Sequence, residues 1–135
     1  MVSGRFNPND FSEIAQLLIT ENPDESKIRT AVGRIYYSLF LVPLYHFYSN
    51  GIVPKGRITK QPKNRRGMHA VLIDDVKRVN TALGGQLDAL RQLRIQADYR
   101  LLPDHGFENW PNNLQTAQIL AESIKKMYKT HRINI

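Results

Sequence analysis

Two charged residues, Arg94 and Asp98, stand one helical turn apart in the stretch "LDALRQLRIQADYRLLPDHG", residues 87 to 106. Side chains four positions apart on a helix can meet. On a wheel advancing about 100° per residue from Leu83, the residues Leu87, Leu90, Ala97 and Leu101 lie within about 40° of one direction, which defines a buried stripe. Arg94 falls at about 20° and Asp98 at about 60° on that wheel, inside the stripe or at its edge. An unpaired buried charge costs several kcal/mol, so both groups must be paired, hydrogen-bonded or turned toward a wet cleft. Two chemistries fit. The pair is either a bolt between helix four and helix two, through groups such as Arg34, Tyr36 or Tyr37, or the polar centre of a cleft that receives an anion.

The histidines are His46, His69, His105 and His131, scattered over different elements with no H-x-x-x-H pair and no glutamate at zinc-protease spacing. The chain has no cysteine, which removes disulfides, thiolate nucleophiles and cysteine-based metal sites. No P-loop, no G-x-G-x-x-G after a strand and no G-x-S-x-G elbow is present, so neither a metal nor a nucleotide cofactor of those kinds is expected. His69 follows Arg65, Arg66 and Gly67 and opens a helix, where an N-terminus attracts phosphate. Asp74 and Asp75 read as a solvated face, because neighbouring carboxylates on a helix point in different directions.

Nineteen Lys and Arg against twelve Asp and Glu leave a net charge of +7 over 135 residues. That surplus favours an anionic partner, nucleic acid first. It is concentrated in "PKGRITKQPKNRRGMH", which holds Lys55, Arg57, Lys60, Lys63, Arg65 and Arg66 and no acid. We read residues 51–66 as a long basic loop whose cations, with His69 beyond it, contact a phosphate backbone.

These groups must be positioned by helices. "DFSEIAQLLIT" places Phe11, Ile14, Leu17 and Leu18 at helical spacing behind Asp10 as N-cap, and Asn22-Pro23 ends the element. Asp24 caps a second helix that runs to Asn50-Gly51, and its apolar or aromatic character from Ile35 to Phe47 makes it the surrounded helix of a bundle, kinked or ended at Pro43. "MHAVLIDDVKRVNTA" predicts a third, amphipathic helix through Val71, Leu72, Val76 and Val79, broken at Gly84-Gly85. The fourth runs from about Gln86 to Leu101. A fifth, capped by Asn112 or Asn113, presents Leu114, Ala117, Leu120, Ala121, Ile124 and Tyr128, with Trp110 before it as lid or staple. Strand-like alternation and repeats are absent. The expected architecture is therefore one all-α domain over 1–135, a four-to-five-helix antiparallel bundle. Nothing predicts export or membrane insertion, and a cytoplasmic setting is the expectation.

"AVGRIYYSLF", followed some sixty residues later by "LRQLRIQADYRL" with a basic loop and short helix between, resembles the small prokaryotic branch of the HEPN (higher eukaryotes and prokaryotes nucleotide-binding) family. The Arg-x-Tyr-Tyr motif stands here as Arg34, Tyr36 and Tyr37, and the Arg-x-x-Ala-Asp-Tyr motif as Arg94, Ala97, Asp98 and Tyr99. The likeness covers about residues 10–130. It implies a homodimeric helical bundle that engages RNA, acting in toxin–antitoxin or defence systems, often beside a nucleotidyltransferase. It implies Arg94, Asp98 and Arg34 as the polar centre. Tyr99, at about 160° on the wheel, is expected against a second subunit or helix five. Nuclease members of the family carry an Arg followed, after four to six residues, by a His on the fourth helix, and cut without metal. Counting on from Arg91 or Arg94 reaches Gln96, Ala97 and Arg100 instead. The one formal match is Arg100 to His105, interrupted by Pro103. The alternative expectation is a non-catalytic HEPN interaction module or scaffold partnering a nucleotidyltransferase or larger effector.

Overall fold

A computed structural model describes residues 7–50, 68–100 and 109–130. Over these it contains α1 (Asn9–Thr20), α2 (Glu25–Asn50), α3 (Met68–Val79), α4 (Thr81–Tyr99) and α5 (Trp110–Thr130), and no strand. The expected all-α bundle is the fold. The basic loop residues Lys55, Arg57, Lys60, Lys63, Arg65 and Arg66, and His105 with them, lie outside the described residues.

Helix α2 is the central element, packed on α1, α4 and α5, while α4 also touches α3 and α5. Its broad apolar surface accounts for this, because Ile28, Val32, Leu39 and Phe40 are all buried against its neighbours. Asp24 caps it as expected, accepting the Lys27 amide at 2.9 Å. Pro43 neither ends it nor is exposed: the helix continues to Asn50. Among the described residues no helix is long and apolar enough to cross a membrane.

The start of α1 differs from expectation. Asp10 is already helical, and Asn7 makes the first-turn contact by accepting the Asn9 amide at 3.0 Å. Of the apolar residues assigned to its buried stripe, Ile14 and Leu17 are exposed, while the small Ala15 meets α2. A methyl side chain allows the two helices a close approach, and Phe11, Leu18 and Ile19 seal the edges. Beyond Thr20 the chain turns at Asn22, whose φ of 44° lies in the left-handed region that Asn tolerates.

The break between α3 and α4 falls at Asn80, not at Gly84-Gly85. Asn80 takes an extended backbone and accepts the Leu83 amide at 2.9 Å, capping α4 four residues before the glycine pair. The two glycines lie inside the helix and are unlike each other. A β-carbon at Gly84 would stand 2.8 Å from the Lys77 amide nitrogen and 2.9 Å from its Cα, whereas one at Gly85 would meet nothing within 4 Å. Gly84 is there because α3 crosses α4 with its backbone in the way. Val79, placed on the buried face of α3 by periodicity, is exposed at this junction, and Asp75, expected to be solvated, is buried.

Trp110 belongs to the first turn of α5 rather than preceding it, and is fully buried. It is a staple and not a lid. Ala117, Ala121, Ile124 and Tyr128 form the buried face of α5, and the Tyr128 hydroxyl donates to the Leu39 carbonyl oxygen at 2.7 Å.

Candidate functional site

Helix α4 presents Leu83, Leu87, Leu90 and Ala97 to the core, so the same register turns Arg94 toward α2. There the guanidinium donates from Nη2 to the Tyr37 hydroxyl at 2.9 Å, and its Nε lies 3.0 Å from Asp98 Oδ2. The Nε–H meets no acceptor in hydrogen-bonding geometry, so the pair with Asp98 is held by charge. Arg94 is 16 % exposed and Asp98 38 %, so the guanidinium is largely enclosed while the carboxylate reaches solvent. The spacing of the two residues predicted this pairing, and Tyr37 is the counterpart on the second helix. Gly33, also on α2, faces the carboxylate: a β-carbon there would stand 3.8 Å from Asp98 Oδ1.

Arg34, expected beside this pair, is elsewhere. Its guanidinium lies over the Phe11 ring at 5.1 Å, on the α1 side of α2. The link back to Arg94 is aromatic, since Phe11 is 6.3 Å from Tyr37, over whose ring the Arg94 guanidinium lies at 5.3 Å. Tyr99 is exposed in the single chain, with the Arg94 guanidinium 5.8 Å from its ring.

Position 69 departs most from expectation. Instead of facing outward as a phosphate contact, the His69 ring lies half-buried against Phe40, stacked at 4.2 Å, and near Tyr36 and Tyr37 at 5.6 and 5.7 Å. Its Nδ1 is 2.7 Å from the Tyr36 hydroxyl. Burial lowers its pKa to about 4, reinforced by the positive charges of Arg94 and Arg91. The imidazole is therefore neutral at physiological pH. Burial pushes the Tyr36 hydroxyl above its ordinary value, with Arg91 opposing, so it remains a phenol.

Sequence reasoning did not single out Arg91, Phe40 or Phe11 for this cluster. Arg91 is three residues before Arg94 and pairs with Asp88 at 3.7 Å, a spacing that was legible, but its bearing on an imidazole of α3 was not. Arg29 was missed altogether. It is 8 % exposed, and its Nη1 donates to the carbonyl oxygens of Gln96, Ala97 and Arg100 at 3.2, 3.1 and 2.7 Å, while Nε pairs with Glu25 at 3.0 Å. Its guanidinium also lies 4.6 Å over the Trp110 ring. A cation at the C-terminal end of α4 satisfies carbonyls the helix leaves open and complements its dipole. The i, i+4 relation to Glu25 was the only sequence signal for it.

The described site thus consists of Arg94, His69, Tyr36 and Tyr37, flanked by Asp98 and Tyr99, with the Asp88-paired Arg91 near enough to act on the His69 imidazole. Among the described residues no three His, Asp or Glu side chains gather to hold a metal. What the arrangement offers chemically is anion recognition by two guanidinium groups, a neutral imidazole within their field, and ring faces beside them.

An uncharacterized protein of Methanocaldococcus jannaschii is similar to this chain, 31% identical over 110 residues covering 70% of this chain. The chain spans 60% of that relative's length. No protein-family model matches the chain, and no solved structure does either.

Proposed function

We propose that this chain is a HEPN-like, RNA-engaging protein that binds the phosphodiester backbone at the cluster around Arg94, acting as a cytoplasmic homodimer of the toxin–antitoxin or defence type. One observation carries the reading. Two arginines, an imidazole and two tyrosines drawn from α2, α3 and α4 are brought together at one place, in a chain with a net charge of +7. Guanidinium groups recognise phosphate oxygens in a bidentate manner, and a surplus of positive charge steers a polyanion toward them. The basic residues of 51–66 support the same reading as additional phosphate contacts. The two motifs, Arg34-x-Tyr36-Tyr37 and Arg94 to Tyr99, support its assignment to toxin–antitoxin or defence systems.

The stronger form of the reading is metal-independent cleavage. Arg94 and Arg91 would stabilise charge developing on a pentacoordinate phosphate, the neutral His69 imidazole would take the proton of the attacking 2′-hydroxyl, and the P–O5′ bond would break with the departing 5′-oxygen taking a proton from water, leaving a 2′,3′-cyclic phosphate. His69 thereby supplies the histidine that α4 itself lacks.

A second reading is favoured by the partners these groups already have. Arg94 is paired with Asp98 by charge, and His69 is engaged by Tyr36, so both groups already have partners within the chain. This is what a non-catalytic interaction module, partnering a nucleotidyltransferase or a larger effector, requires.

Titrating fluorescently labelled single-stranded RNA across salt separates these readings. RNA engagement requires log affinity to fall with log salt, by roughly 0.7 per phosphate neutralised, and Arg94→Ala to weaken binding. Affinity indifferent to ionic strength sinks it. Incubation with and without EDTA then decides the stronger form: EDTA-resistant cleavage lost in Arg94→Ala supports it, and intact RNA under both conditions leaves only binding.

A further inference from the structure

Of the four tyrosines with described side chains, Tyr36 and Tyr128 are fully buried and Tyr37 is partly buried. Their hydroxyls are all committed, to His69, the Leu39 carbonyl and Arg94 in turn. Tyr99 differs on both counts: its ring is 69% exposed, and its only described partner is the Arg94 guanidinium at 5.8 Å. A single exposed aromatic residue is ordinary on a protein surface. An exposed ring fixed beside a mostly buried arginine is not, because a guanidinium enclosed to 16% exposure has few orientations left.

The surroundings extend the pattern. Arg34, Phe11, Tyr37, Arg94 and Tyr99 form a row of two cations and three rings across α1, α2 and α4, with successive separations of 5.1, 6.3, 5.3 and 5.8 Å. The row ends at the exposed Tyr99. Proteins that hold single-stranded nucleic acid use this combination, aromatic faces for bases and neighbouring cations for the backbone. In a duplex each base face is covered by its neighbour, and only an unpaired base has a face to lay on a ring.

We propose that Tyr99 is a platform on which an unpaired RNA base stacks while Arg94 holds an adjoining phosphate, so that the ligand of this site is single-stranded rather than duplex RNA. The inference rests on the reading that the Arg94 cluster engages RNA, and adds the class of RNA and the residue that selects it. Asp98, which reaches solvent, is the carboxylate that the incoming phosphate displaces from Arg94.

The test compares wild type, Tyr99→Ala and Tyr99→Phe for binding to three probes of equal length: a single-stranded oligoribonucleotide, an abasic ribose-phosphate oligomer and a hairpin duplex. Tyr99→Ala is expected to weaken single-strand binding by roughly tenfold or more, Tyr99→Phe to restore it, and the abasic and duplex affinities to stay unchanged. Circular dichroism confirms that each variant is folded. Equal loss on all three probes overturns the inference, as does no loss on any. So does a wild-type dimer that Tyr99→Ala dissociates, which would make Tyr99 an interface residue. Salt-dependent RNA binding that ignores Tyr99 rejects the platform and leaves RNA engagement standing, whereas wild type binding none of the probes rejects both.

Discussion

Arg29 and Arg94 both reach from one of the two central helices to the other, and they differ in how much of the guanidinium the fold consumes. Arg29 spends its hydrogen-bonding capacity on three carbonyl oxygens at the end of α4 and on Glu25, with Trp110 beneath its plane. Arg94 has one neutral hydroxyl and one carboxylate that reaches solvent, beside an exposed ring. The first arginine is part of the framework. The second is held in position with an anion already on it, and a carboxylate that reaches solvent can be exchanged for a phosphate. Residue type and burial class do not separate structural from ligand-directed arginines in this bundle; the chemistry of their partners does.

The largest expected effect tests the framework side. Arg29→Ala leaves three carbonyls at the end of α4 without their donor and should lower unfolding stability by roughly 2–4 kcal/mol, read by urea denaturation. RNA affinity of the folded fraction should be unchanged. A near-neutral Arg29→Ala would erase the distinction between the two arginines.

Next comes the crossing that presents His69 to α4. Gly84→Ala drives a methyl group into the Lys77 backbone and should destabilise by about 1–3 kcal/mol. Gly85→Ala enters open space and should stabilise by about 0.5–1 kcal/mol through lost unfolded-state freedom. If the two substitutions behave alike, the close approach of α3 and α4 is wrong.

The imidazole provides a pH test. Its pKa of about 4 in the folded chain is below the ordinary value of 6.5, so the unfolded chain binds more protons between those limits. The contribution of His69 is fully present above about pH 6.5 and is lost progressively as pH falls toward 4. Discounted for its partial exposure, the loss amounts to roughly 1–2 kcal/mol. It should disappear in His69→Gln, measured as the difference in denaturation midpoint between pH 7 and pH 4.5. An unchanged pH dependence in that variant would mean the ring is not held neutral.

The smallest stability effect is expected at Arg94. Arg94→Ala should change unfolding free energy by less than about 1 kcal/mol, because its partners are few and Asp98 is partly solvated. The slope of RNA affinity against salt should nevertheless drop by about 0.7. A large stability loss with an unaltered slope would make Arg94 a second Arg29.

Much of the framework was legible because it depends on local rules. The cap at Asp24, the surrounded helix α2, the buried stripe of α4 and the meeting of Arg94 with Asp98 all follow from spacing and side-chain type. The errors have a common cause. Glycines at 84 and 85 looked like punctuation because the backbone that requires Gly84 belongs to Lys77 in another helix. Ile14, Leu17 and Val79 looked like core because periodicity marks an apolar face without saying whether a neighbour covers it. His69 looked like a surface group for the same reason.

By itself, then, the sequence determined the helices, most of their faces and the charged pair one turn apart, since 3.6-residue periodicity and capping act within a few residues. Only the tertiary structure decided that His69 meets Tyr36 across 33 positions, and that Arg29 reaches the end of α4 across 67 to 71. Contacts of that separation depend on which helices lie side by side and how closely they cross. Packing sets both, and no local pattern encodes them.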